Sequence, residues 1–167
     1  TVSNDMDGAI IDMDGTLLDS MYIWVGMGDR YLEKRKVSAP PDLVENMKYG
    51  SLDEMADGLH ASGYFTDESK TELVKDMNRF VEDEYFHNAQ AKPGTKKFLE
   101  RLSRAGIRSV LATATDRYLV VGALDRLGLT DYFTDIITCA EAGQGKHSPK
   151  IYFDALDILG IEQSGSV

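Results

Sequence analysis

The sequence predicts an α/β fold with a parallel sheet and an α-helical segment inserted after the first strand. Three observations predict it. Short β-branched runs alternate with helical periodicities from Pro93 onward; another such run stands alone at residues 9–11; and residues 20–90 between them hold no convincing strand.

Ala9-Ile10-Ile11 reads as a buried parallel strand that ends in the loop Asp12-Met13-Asp14-Gly15. Within 20–90, Met21, Trp24, Val25, Gly28 and Leu32 share one helical face, as do Leu73, Met77, Phe80 and Val81. Pro40-Pro41, Gly50-Ser51 and Gly63 divide the segment into about four helices. After Pro93-Gly94, the spacing of Phe98, Leu102 and Ala105 predicts a helix stopped by Gly106. Ile107–Thr113 reads as the second strand. Val120, Ala123, Leu124 and Leu127 mark a helix stopped by Gly128, and Asp135-Ile136-Ile137-Thr138 a third strand. Ser148-Pro149 opens a helix with Ile151, Ala155, Ile158 and Leu159 inward and Gly160 as its stop.

The 167 residues suffice for one domain or for a core with a small insert, and 43% apolar content fits a packed chain. The formal charge of −10 opposes wholesale binding of nucleic-acid backbones, but not of a small phosphorylated ligand in a local positive pocket. Residues 20–90 carry 14 acids against 8 bases. One cysteine, Cys139, allows neither an intrachain disulfide nor a cysteine zinc cage. No apolar run approaches the ~20 residues of a membrane span, and Thr1–Gly8 does not read as a signal peptide. A cytoplasmic protein with no membrane or obligate protein partner is expected.

Asp12 and Asp14 carry the chemistry. Two carboxylates two residues apart at a strand's carboxyl end lie in the crevice where open α/β sheets bind ligands. One can attack while the other moves a proton. Gly15 permits a sharp turn, and Thr16 adds a hydroxyl and an N–H. An EF-hand loop starting at Asp12 fails, because its twelfth position is Ile23. The second Asp-Met-Asp-Gly, residues 5–8, lacks a preceding strand and reads as a surface turn. A phosphate loop at Gly143-Gln144-Gly145-Lys146 fails on Ala140 and His147. Trp24 reads as packing, and none of His60, His87 and His147 is given a catalytic role.

The stretch Gly8–Ser20, with Asp-Met-Asp-Gly-Thr after an apolar strand, resembles the first motif of the haloacid dehalogenase superfamily. Val110-Leu111-Ala112-Thr113 matches that family's strand-end hydroxyl. Gly145-Lys146-His147-Ser148-Pro149 is similar to its lysine before a helix, although His147 and Lys150 depart from the commoner wording. The helical insert resembles the cap of the beta-phosphoglucomutase-like branch. The resemblance implies a Rossmann-like core of residues 1–19 and 91–167 with a cap of 20–90, hinged near 17–20 and 90–93.

It also implies roles. Asp12 would take the phosphoryl group as an aspartyl-phosphate. Asp14 would protonate the leaving alcohol and then activate water. Thr113, Ala114, Gly15 and Thr16 would bind the phosphoryl oxygens, and Lys146 would neutralise charge between them and Asp12. Mg²⁺ would sit on the Asp12 carboxylate and the Asp14 backbone carbonyl. The physics agrees: an anionic nucleophile needs a cation between itself and an anionic phosphate. Asp14 favours phosphate-ester chemistry over dehalogenation. Leu52 after Ser51, where the mutase branch carries arginine, favours a phosphatase over a mutase. Met21, Tyr22, Lys48 and Tyr49 are the candidates for substrate choice, with Lys48 holding an anionic substrate.

The expected activity is therefore a Mg²⁺-dependent phosphatase acting on a small phosphorylated metabolite. The alternatives are a phosphosugar mutase and a non-catalytic phospho-ligand-binding protein. The family's fourth, acidic motif is missing, with Glu162 the only acid after Gly160; the sequence is expected to be a C-terminally truncated form of a longer protein.

Overall fold

The structure, a computed structural model, describes residues 6–38, 40, 43, 45 and 51–162. Lys48, Tyr49 and the breaks expected at Pro41 and Gly50 lie outside the described residues.

The chain opens with β1 (Gly8–Ile11), the loop 12–17 and β2 (Leu18–Asp19). Helices α1 (Met21–Trp24), α2 (Met27–Lys34), α3 (Leu52–Ala61) and α4 (Lys70–Asp83) follow, α4 running into a π-helical turn at Glu84–Asn88. The chain then returns through β3 (Gln90–Ala91) to α5 (Thr95–Arg104), β4 (Arg108–Thr113), α6 (Arg117–Leu127), a 3₁₀ turn at Thr130–Tyr132, β5 (Asp135–Thr138), α7 (Cys139–Ala142) and α8 (Lys150–Leu159).

The main sheet is parallel, in the order β1-β4-β5. Ile11 is level with Leu111, and Thr113 with Thr138. All three strands therefore end at one edge. β4 is central and buried from Ser109 to Thr113, as a strand covered on both faces must be. On one face Val110, Ala112 and Ile137 pack with Ile151, Ala155 and Leu159 of α8. On the other, Ala9, Ile11, Leu111 and Ile136 join Leu99 and Leu102 of α5 and Leu119, Val120, Ala123 and Leu124 of α6. Each fully buried leucine here contributes on the order of 1.5–3 kcal/mol.

The second apolar cluster continues without interruption into the helical segment through Ile23, Met27, Tyr31, Leu59, Leu73, Met77 and Tyr85. Arg35, at the end of α2, binds Glu68 and Asp76, donates to the Tyr31 hydroxyl at 2.8 Å and stacks 4.4 Å from the Phe65 ring. One guanidinium thus ties α2 to α4 and the turn before it.

Local details differ from the sequence expectations. The periodicity from Met21 to Leu32 belongs to two helices broken at Val25-Gly26, where Gly26 takes φ 66°. Their buried face is Ile23, Met27, Gly28, Tyr31 and Leu32, while Met21 and Val25 face solvent. In α5 the inward residues are Thr95, Leu99 and Leu102; Phe98 is 46% exposed. In α8, Leu156 is buried and Ile158 only partly so. Each apolar set also fitted a helix wheel one position away, and packing chose the other stripe. The two short strands β2 and β3 pair antiparallel, Leu18 with Ala91 and Asp19 with Gln90, where the segment leaves and rejoins the sheet.

Candidate active site

Asp12 directly follows β1. The chain then winds around one carbonyl: Leu17 N–H and Leu18 N–H donate to the Met13 oxygen at 2.9 and 3.0 Å, and Gly15 N–H returns to the Leu18 oxygen at 3.0 Å. The Met13 side chain is fully buried and anchors the loop. Gly15 takes φ 78°, which favours glycine, and its open face lies against the Met21 side chain, 2.9 Å from where a Cβ would stand. The loop is fastened from the far linker: Lys92 Nζ donates to the Gly15 oxygen at 2.6 Å, and Thr95 Oγ1 to the Leu17 oxygen at 2.8 Å.

Lys146, 134 residues from Asp12, brings its ammonium onto Asp12 Oδ1. Among the described residues, the other carboxylate oxygen takes only a long 3.3 Å contact from the Thr16 hydroxyl. Thr113 closes β4 fully buried and accepts the Thr115 N–H at 3.1 Å; Ala114 packs beside the cluster under α8. The structure thus gathers Asp12, Asp14, Gly15, Thr16 and Lys146 around the β1 end, with Thr113 and Ala114 at the end of the neighbouring strand.

Asp14 is the most heavily engaged group. Ser20 Oγ and Tyr85 Oη donate to its Oδ1 at 2.6 Å each, and Thr115 Oγ1 to its Oδ2 at 2.7 Å. The direction of one of these bonds is fixed chemically. Trp24 Nε1–H, a donor only, points at the Tyr85 oxygen at 2.8 Å, so the tyrosine proton goes to Asp14. Burial raises the Tyr85 phenol far above its ordinary value, and the Asp14 charge adds to it. The hydroxyl stays a donor throughout the physiological range.

Sequence reasoning missed Ser20, Tyr85 and Thr115. Ser20 stands at the end of the recognised motif and Thr115 two residues beyond Thr113, so proximity was a usable signal for both. Tyr85 offered none. Trp24 packs against Tyr85, as expected of it, and supplies a hydrogen bond as well. Met21 covers Gly15. Tyr22 is half exposed and donates to Glu84 at 2.8 Å; burial and then Glu84 push its phenol up to about 12. Ser51 is the N-cap of α3, which accounts for it structurally. Cys139 is buried, and burial raises its thiol, which leaves it a poor nucleophile.

The site can place an ion-paired carboxylate and a second, hydroxyl-held carboxylate at one sheet edge, beside a strand-end hydroxyl and a lysine. Comparison with known proteins places the chain in a family. A curated Bacillus subtilis protein, YhcW, which carries a provisional name as a phosphatase, is 24% identical over 156 residues, spanning 91% of this chain and 69% of its own. The solved beta-phosphoglucomutase of Clostridium difficile superposes with a TM-score of 0.76 at 21% identity, over 96% of this chain and 74% of that one. CbbY of Rhodobacter sphaeroides, solved with phosphate, superposes with a TM-score of 0.76 at 16% identity, over 97% and 76%. At those identities the structures speak for the fold. Residues 6–166 match the sequence profile of one family from the Asp12 strand through the Lys146 loop, and the chain belongs to the haloacid dehalogenase-like hydrolases, a family of enzymes.

Proposed function

We propose that the chain is a phosphatase of small phosphorylated metabolites that works through an aspartyl-phosphate at Asp12, with residues 20–90 acting as a cap over the site. The observation that carries this reading is the pairing of Lys146 with one oxygen of Asp12, while among the described residues the other has only the long Thr16 contact. That second oxygen is the nucleophile. It forms a bond to phosphorus as the bond from phosphorus to the leaving oxygen breaks, and Asp14 supplies the proton that makes the leaving group an alcohol. Asp14 then removes a proton from the water that attacks the acyl phosphate, giving inorganic phosphate and restoring Asp12. Lys146 offsets the repulsion between the carboxylate and the phosphoryl oxygens, and the Thr113 and Ala114 turn receives one of them. CbbY is a relative by fold that was solved with phosphate, and YhcW is named as a phosphatase; both are in keeping with this class of substrate.

Mg²⁺ is the cation this chemistry calls for, and the donors present fit it. Mg²⁺ binds hard oxygens, characteristically one or two carboxylates together with substrate phosphate oxygens and water. Asp12 and the Asp14 backbone carbonyl are such donors. Among the described residues no cluster of three His, Cys, Asp or Glu forms a cage of its own. When bound, the ion would supply further charge neutralisation at the phosphoryl group.

The test is phosphate release from an aryl phosphate and a panel of sugar phosphates, with and without chelator. Release is expected to require Mg²⁺ and to vanish in Asp12→Asn. Turnover retained by that variant contradicts the reading.

A further inference from the structure

Among the described residues, three helices carry a capping box: Ser51 with Glu54, Ser69 with Glu72, and Thr138 with Glu141. Glu54 alone spans the two parts of the chain that carry the site. Its Oε2 accepts the Ser51 N–H at 2.9 Å and completes the cap. Its Oε1 accepts the N–H of Gly145, 91 residues away, at 3.2 Å, with His147 Nδ1 3.5 Å off. Gly145 and His147 flank Lys146. The loop has been shaped to receive this carboxylate. A Cβ on Gly145 would stand 2.5 and 2.6 Å from the Glu54 oxygens, and Gly145 does not need glycine for its backbone, since its φ is not positive. Only a cleft of about 180 Å³, lined by Asp53, Glu54, Lys70, Cys139 and Gly145 among others, separates α3 from the loop.

We propose that Glu54 is a positioning residue for Lys146. It pins the peptide in front of the lysine from the helical segment and thereby holds the ammonium on Asp12. The charge at the nucleophile then depends on α3 lying against the loop. This rests on the roles proposed for Asp12 and Lys146.

Glutamine separates the two jobs of Glu54. Its one carbonyl oxygen completes a capping box, but its amide nitrogen cannot accept the Gly145 N–H. Glu54→Gln is expected to keep the wild-type Tm while kcat falls by about tenfold, the scale of one hydrogen bond to a charged group, with KM little changed. Gly145→Ala is expected to lose activity similarly, because its Cβ would displace the Glu54 carboxylate, and adding it to Glu54→Gln is expected to cost little more.

Two readouts do not need turnover. Hydrogen exchange of the Gly145 amide should quicken in Glu54→Gln while the amides of α3 do not change, and acylation of Lys146 by a small amine-reactive ester should quicken with it. Wild-type exchange at Gly145, or wild-type kcat and Lys146 labelling in Glu54→Gln, overturns the proposal. If the wild-type chain releases no phosphate from any ester, the phosphatase reading falls, and exchange and labelling still decide whether Glu54 places Lys146.

Discussion

Asp14 collects three hydroxyl donors, and Tyr85 is the one whose geometry cannot relax. Trp24 fixes the direction of its bond, and burial keeps it protonated. Tyr85→Phe leaves the partly buried Trp24 indole N–H without its partner and takes one donor from Asp14. A stability loss of about 1–3 kcal/mol is expected from denaturant unfolding. The shape of the pH–rate profile should shift as well if Asp14 carries the proton as proposed, whereas a purely structural role for Tyr85 would lower Tm and leave the profile alone. At this scale the sequence shows some partners and hides others. Asp12, Asp14, Gly15 and Thr16 are legible because a strand, a turn and the proposed nucleophile occupy consecutive positions. Lys146 is legible because a recognisable helix start follows it. Tyr85 reaches Asp14 across 71 residues with nothing local to announce the meeting, whereas Thr115 reaches it across 101 and is marked only by standing two residues beyond Thr113.

The helices show the same division between what is local and what is not. Glycines place the ends of α6 and α8 correctly, since Gly128 and Gly160 adopt φ 64° and 65° as left-handed stops must. The strands declare themselves because buried parallel strands are uninterrupted apolar runs. The inward stripe of α5 is not declared: Phe98 and Leu99 are neighbours, either of which could face the sheet. Packing selects the leucine, 1% exposed against 46% for the phenylalanine. Leu99→Ala is therefore expected to cost about 2–5 kcal/mol, and Phe98→Ala no more than about 0.5 kcal/mol. Equal losses in thermal unfolding would put the stripe where the simple spacing put it. The split of α1 from α2 escaped for a related reason, since Gly26 sits inside an otherwise continuous periodicity and only its positive φ reveals the break.

Across the whole molecule, the excess of acids sets the response to pH. Glu141 links α7, β5 and α6. Burial raises its carboxyl, but Arg117 and the Thr138 amide and hydroxyl outweigh burial and hold it below its ordinary 4.5. A carboxylate lowered in the folded state stabilises the fold above its unfolded value, and that contribution is lost as pH falls through the folded value. Glu141→Gln should therefore be less stable than wild type at pH 7, and the difference should shrink below pH 4.5. A difference that is the same at pH 7 and pH 3.5 would refute the linkage.

The same architecture delivers the chemistry. Three strands end at one edge, two linkers cross beside it in the β2–β3 pair, and Asp12 lies where the sheet, the lysine loop and the helical segment converge. The most direct measurement is to catch the covalent intermediate. The chain is mixed with a phosphoryl donor and Mg²⁺, quenched, and reduced with borohydride, which converts an aspartyl-phosphate to homoserine. The peptide spanning residues 9–20 is then sequenced by mass spectrometry. Homoserine at position 12, absent from Asp12→Asn, is the predicted result. Phosphate released with Asp12 unmodified, or homoserine at another aspartate, would contradict it.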